Sequence, residues 1–94
     1  MTTGFDPDWV VAPGETLNEW FKENGLTGTA LQAAIAKRYS ISERTLRGVL
    51  AGETPIRPRL AARLAAMTMV SSAFWLGLEH NYRVGLAAGK RRMP

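Results

Sequence analysis

No cysteine and only one histidine, His80, occur in this chain. Without cysteine there is no disulfide framework and no thiolate metal site. A lone histidine without such partners is a poor metal site. No apolar run approaches the ~18 residues needed to span a bilayer. There is no glycine-rich phosphate loop, no internal repeat and no Ser, His and Asp arrangement. Glu15, Glu19 and Glu23 are spread along one solvated face rather than paired in a pocket. Enzymatic activity is therefore not expected, and no cofactor is implied. The N-terminus lacks a basic start followed by an apolar core, which predicts no signal peptide and a cytoplasmic protein. With 94 residues the chain makes one domain at most.

Acidic residues are also scarce after the first quarter. Residues 1–25 hold five acids (Asp6, Asp8, Glu15, Glu19, Glu23) and one base, Lys22, a net −4. Residues 26–94 hold eleven bases and three acids, a net +8. Seven of those bases fall between Lys37 and Arg63. Basic clustering of this kind is the electrostatic footprint of phosphate binding, although a solvated basic surface is also common in small proteins.

The basic cluster surrounds the stretch Ile35 to Gly52, I-A-K-R-Y-S-I-S-E-R-T-L-R-G-V-L-A-G. Ile35 and Tyr39 are four apart, and Leu46 precedes Val49 and Leu50 by three and four, which is helical spacing. Ser42 is placed to N-cap the second of two short helices. Glu43 suits the positive helix end, and Gly52 is a C-terminal stop. The second helix then has an apolar edge (Leu46, Val49, Leu50) and a polar edge (Glu43, Arg44, Arg47). This is what a helix-turn-helix recognition helix requires. An ordinary helical hairpin with a solvated charged face has the same pattern.

Around this stretch the spacing predicts three more helices. Met1 to Ala12 is expected to be a flexible arm (residues 1–12) whose Phe5, Trp9, Val10 and Val11 either dock on the domain, the favoured reading, or await a partner. Pro13 and Gly14 open the first helix, with Leu17, Trp20 and Phe21 inward and Gly25 as its stop. The second helix is expected over Leu26 to Tyr39, starting near Thr27 or Thr29, with Leu31, Ile35 and Tyr39 as its buried stripe. Two prolines fix the loop Glu53 to Pro58, and Pro58 suits the first turn of the fourth helix, which presents Leu60, Leu64 and Met67 inward. Ser71 caps the fifth, where Phe74, Leu78 and Tyr82 repeat every four residues as a core stripe with Trp75 and Leu76 beside it. The expected domain is residues 13–86, an all-α bundle of five helices. Residues 87–94, with Lys90, Arg91 and Arg92, read as a frayed basic tail.

Three segments carry a family resemblance. The first is Pro13-Gly14-Glu15 with Leu17 and Glu19, then Gly25-Leu26. The second is the helix-turn-helix ending Leu50-Ala51-Gly52, followed by Pro55-Ile56. The third is Ala62-Arg63-Leu64-Ala65, then Ser72-x-Phe74-Trp75-Leu76-x-Leu78-x-x-Asn81-Tyr82. Together, over about Val11 to Val84, they resemble the HigA/VapI type of antitoxin, a branch of the Cro/C1-type helix-turn-helix proteins with a lambda-repressor-like fold.

The resemblance implies a homodimer that binds double-stranded operator DNA, represses its own operon, and neutralises a partner toxin, usually a small RelE-like ribonuclease of the HigB kind. A stand-alone repressor with no toxin has the same fold, as does an interaction module that has lost DNA binding. By position, Ser42, Glu43, Arg44, Thr45 and Arg47 would face the DNA. Arg44 and Arg47 would pair with guanine O6 and N7 or with phosphates, and Glu43 would either accept from cytosine N4 or serve as an N-terminal helix charge. Gln32, Arg57 and Arg59 would contact phosphates, which position a protein without reading sequence. Three features depart from the family pattern. About four extra residues lie between Leu26 and Ile35, Ala51 replaces a common asparagine, and Gly48 stands where a long polar side chain is common. Gly48 would mean either weakened sequence reading or a close approach of backbone to DNA.

Overall fold

A computed structural model describes residues 9–92. They form five helices, α1 (Pro13–Glu23), α2 (Thr29–Arg38), α3 (Glu43–Leu50), α4 (Pro58–Thr68) and α5 (Ser72–Ala87), in a mostly helical fold. Two short strands, β1 (Trp9–Val10) and β2 (Arg91–Arg92), flank them. Among the described residues no helix is long and apolar enough to cross a membrane.

Pro13 occupies the first turn of α1, where its missing N–H costs nothing. Leu17 and Phe21, one turn apart, are fully buried. Gly25 then takes φ +70°, and the Leu26 N–H returns to the Phe21 carbonyl at 2.8 Å, closing the helix. At the other end of α1 the backbone runs against α3. A Cβ on Gly14 would collide with the Val49 carbonyl oxygen and lie 2.9 Å from Leu50 Cα.

The α2–α3 and α4–α5 connections follow one plan. Ser40 (φ +62°) and Met69 (φ +64°) each take the left-handed conformation. An apolar residue follows each (Ile41, Val70), then a serine N-cap. Ser42 Oγ accepts from the Thr45 N–H and Ser71 Oγ from the Phe74 N–H, both at 3.1 Å. Four residues after each cap stands a fully buried side chain, Leu46 and Trp75. An apolar residue before the cap and another four after it is the arrangement of a hydrophobic staple, which fixes the angle of entry into a helix.

Trp75, Phe21, Leu17, Ile41, Leu46 and Leu64 are the largest fully buried side chains. Thr68 joins α4 to α5: its hydroxyl donates to the Leu64 carbonyl at 2.7 Å and accepts from Trp75 Nε1 at 3.3 Å and the Val70 N–H at 3.2 Å. The buried indole thus keeps a partner for its N–H.

Two expected stripes are displaced. On α2 the buried residues are Gln32 and Ala36, while Leu31 and Tyr39 are exposed and Ile35 is half-buried. Small Ala36 suits the face against α3, and Gln32 spends its amide on neighbours. On α5, capped at Ser71 as expected, Trp75, Tyr82 and Gly85 are buried and Phe74 is 48% exposed, because the face turned to α4 is the one that carries Trp75.

The arm and tail also differ from expectation. Trp9 pairs with Arg91 and Val10 with Arg92 in a two-stranded parallel sheet. Gly85 on α5 leaves the room that Val10 fills, since a Cβ there would collide with Val10 Cγ1. Arg91 lies over the Trp9 ring, 4.8 Å from its centroid. The tail through Arg92 is therefore paired, not frayed; Trp9 and Val10 are half-buried as docking requires, whereas Val11, expected to dock with them, is exposed. The part of this expectation that concerns Phe5 lies outside the described residues.

Candidate nucleic-acid interface

α3 is amphipathic, and its two edges have different surroundings. Leu46 and Val49 are buried against α1 and α2. Ser42, Glu43 and Arg44 are exposed, and Thr45 is half-exposed. The Ser42 hydroxyl donates to Thr45 Oγ1 at 2.9 Å while accepting from the Thr45 N–H. The first turn is thereby locked, and the Thr45 hydroxyl proton remains free to donate outward. Glu43 stands in the first turn, where the helix end favours an anion.

Arg44 and Arg47 play different parts. Arg44 is exposed. Arg47 is half-buried and turned toward α2, where Nη2 donates to the Thr29 carbonyl at 3.2 Å and to Gln32 Oε1 at 3.4 Å. Its Nε is buried without a partner. Gln32, in turn, donates from Nε2 to the Leu26 carbonyl at 2.9 Å. The two residues therefore tie the start of α2 to α3 and to the loop before it. Gln32 is only 6% exposed, so in this arrangement it does not present its amide at the surface.

Arg57, at the N-cap of α4, and Arg59 in its first turn are both exposed. Arg63, one turn further on, does something the spacing did not reveal. Its Nη1 donates to the Ser40 carbonyl at 3.2 Å and braces the turn between α2 and α3. Beside that turn lies an open groove of about 770 Å³, lined by Ala30, Ala33, Ala34 and Lys37 of α2 and by Ser42 and Glu43.

Gly48 has an internal cause. A Cβ on it would collide with the Thr54 hydroxyl and lie 2.9 Å from Thr54 Cβ. The Gly48 carbonyl accepts from the N–H groups of Glu53 (2.8 Å) and Thr54 (3.1 Å). The loop after α3 thus folds back onto the helix at this position. Neither of the two readings drawn from the sequence, weakened base contact or backbone apposed to DNA, is needed to explain the glycine. The signal was the small polar Thr54 six residues on, which has no periodicity to mark it.

The expected site residues form three groups. Ser42, Glu43, Arg44 and Thr45 lie together at the start of α3. Gln32 and Arg47 lie behind them as a strut. Arg57 and Arg59 lie at the start of α4. No protein-family model, curated protein or solved structure matches this chain.

Proposed function

We propose that the chain is a helix-turn-helix DNA-binding antitoxin of the HigA kind. In this reading it is a cytoplasmic homodimer with a lambda-repressor-like fold that represses its own operon and neutralises a RelE/HigB-like ribonuclease. The observation that carries the DNA half is the division of α3. Leu46 and Val49 hold it to the core, while Ser42 to Thr45 stand outward within the stretch Lys37 to Arg63, which holds seven of the twelve bases. A helix fixed along one edge and polar along the other can enter a major groove and present side chains to base edges.

Within this reading Arg44 is the base reader, Arg57 and Arg59 are phosphate contacts, and Arg47 with Gln32 sets the angle at which α3 is offered. Arg44→Ala should cost about 1–3 kcal/mol of operator binding and relax specificity at one base pair. Wild-type affinity and specificity in that variant would sink the assignment of this helix. As HTH dimers read half-sites about one helical turn apart, the operator should be an inverted repeat.

The antitoxin half rests on the resemblance, and above all on the Phe74-to-Tyr82 segment. One observation favours the stand-alone repressor: Trp75 and Tyr82 of that segment are buried, so much of its pattern serves the core. A growth rescue separates the two. The small reading frame beside this gene is induced alone and then together with this chain. Arrest followed by rescue supports the antitoxin, and no toxicity from either neighbour supports the solitary repressor. The third alternative, an interaction module without DNA binding, took its motive from Gly48 and loses it to the Thr54 contact.

A further inference from the structure

The strand pair brings one cation to an unexpected place. Arg92 ends β2, and its guanidinium covers the α-carbon of Gly52, just past the end of α3. A Cβ on Gly52 would lie 2.7–2.9 Å from the guanidinium carbon and both terminal nitrogens. Gly52 takes φ +76°, and it is this conformation that demands glycine, since the guanidinium at the end of a flexible side chain could move aside. The end of α3 carries the negative pole of the helix, which attracts a cation. Arg92 is nevertheless exposed, and its flat face on Gly52 leaves its edge of N–H donors to solvent. Arg44 lies in the first turn of α3 and Gly52 just past its end. The eight residues of α3, at about 1.5 Å each, span about 12 Å, close to the width of the major groove.

We infer that the β1–β2 pair is a positioning device for nucleic acid: β1 holds the C-terminal strand so that Arg92 takes a backbone phosphate at the far end of α3. This rests on the DNA-binding reading proposed above. Trp9 and Val10 are then positioning residues. They touch no DNA, and they act by fixing β2 through the Trp9–Arg91 stack, the ladder and the Gly85 niche.

The test measures affinity of the full chain for its own upstream DNA and for unrelated duplex across a range of salt. Arg92→Ala should weaken both DNAs by the same factor and reduce the slope of log K against log salt by about 0.9, the signature of one lost phosphate contact. Val10→Gly carries no charge change, and should lower the slope by the same amount. Combining the two should lose no more than either alone, because both act through one contact. Unchanged slopes in Arg92→Ala overturn the proposal, and so does an additive double variant. Arg44→Ala keeps the two levels of the argument apart. If wild type binds and Arg44→Ala alone weakens it, the DNA reading stands and the clasp inference falls. If wild type binds no DNA, both fall together. Arg92 is exposed, so its variant reports even where Val10→Gly loses its fold.

Discussion

α2–α3 and α4–α5 are built with the same local grammar and put it to different ends. Each has a left-handed non-glycine residue, an apolar residue, a serine cap and a buried side chain four positions on: Ser40, Ile41, Ser42 and Leu46 in one, Met69, Val70, Ser71 and Trp75 in the other. Two residues after the cap stands Arg44 in α3 and Ala73 in α5, and both are exposed. Turn, cap and staple therefore specify how a helix enters the fold. They do not specify what it is for. What separates the two helices is the outward side, short and charged on α3 (Glu43, Arg44), long and mixed on α5, where Phe74 and Val84 are exposed beside His80, Asn81 and Arg83.

The comparison breaks most severely at the buried position. Trp75→Ala should destabilise by about 3–5 kcal/mol and Leu46→Ala by about 2–5, measured as shifts in the denaturant midpoint. A much smaller loss at either would mean that its staple does not anchor its helix. Next come the glycines inside the two helices. Gly48→Ala should cost about 1–3 kcal/mol through overpacking on Thr54, whereas Gly77→Ala, which meets open space, should gain about 0.5–1 kcal/mol. The caps sharpen the likeness: Ser42→Ala and Ser71→Ala should each cost about 1 kcal/mol by thermal or chemical unfolding, and a large inequality would show that the two turns are alike only in outline. The smallest effect on stability tests the difference. Arg44→Ala and Ala73→Arg exchange the outward residues and should each stay within about 0.5 kcal/mol of wild type. Under the proposed reading only the first weakens operator binding, by the about 1–3 kcal/mol of one base contact, and the second creates none.

Much of this was legible because helical period and capping are local. The five helices, the caps at Ser42 and Ser71 and the stops at Gly25 and Gly52 follow from residues within four positions of one another. Burial on α2 and α5 was misplaced although their starts were legible, because the face a helix turns inward is set by the element it packs against. α3 takes the side of α2 that carries Gln32 and Ala36, and α4 takes the side of α5 that carries Trp75 in place of Phe74. The inward turn of Arg47 toward Thr29 and Gln32, the brace from Arg63 to Ser40 and the Gly48–Thr54 contact join different elements, and no spacing within one element announces them. The pairing of Trp9 with Arg91 lies furthest from view, since two-residue strands carry no alternation to read.

That pairing closes a loop of about eighty residues. The entropy of so long a closure is recovered only after the helices have docked. The ladder is therefore expected to form last and, having few bonds, to open first. Amide exchange at Val10 and Arg92 should run orders of magnitude ahead of exchange at Trp75. β1 and β2 would then separate and rejoin many times within the lifetime of a single folded core.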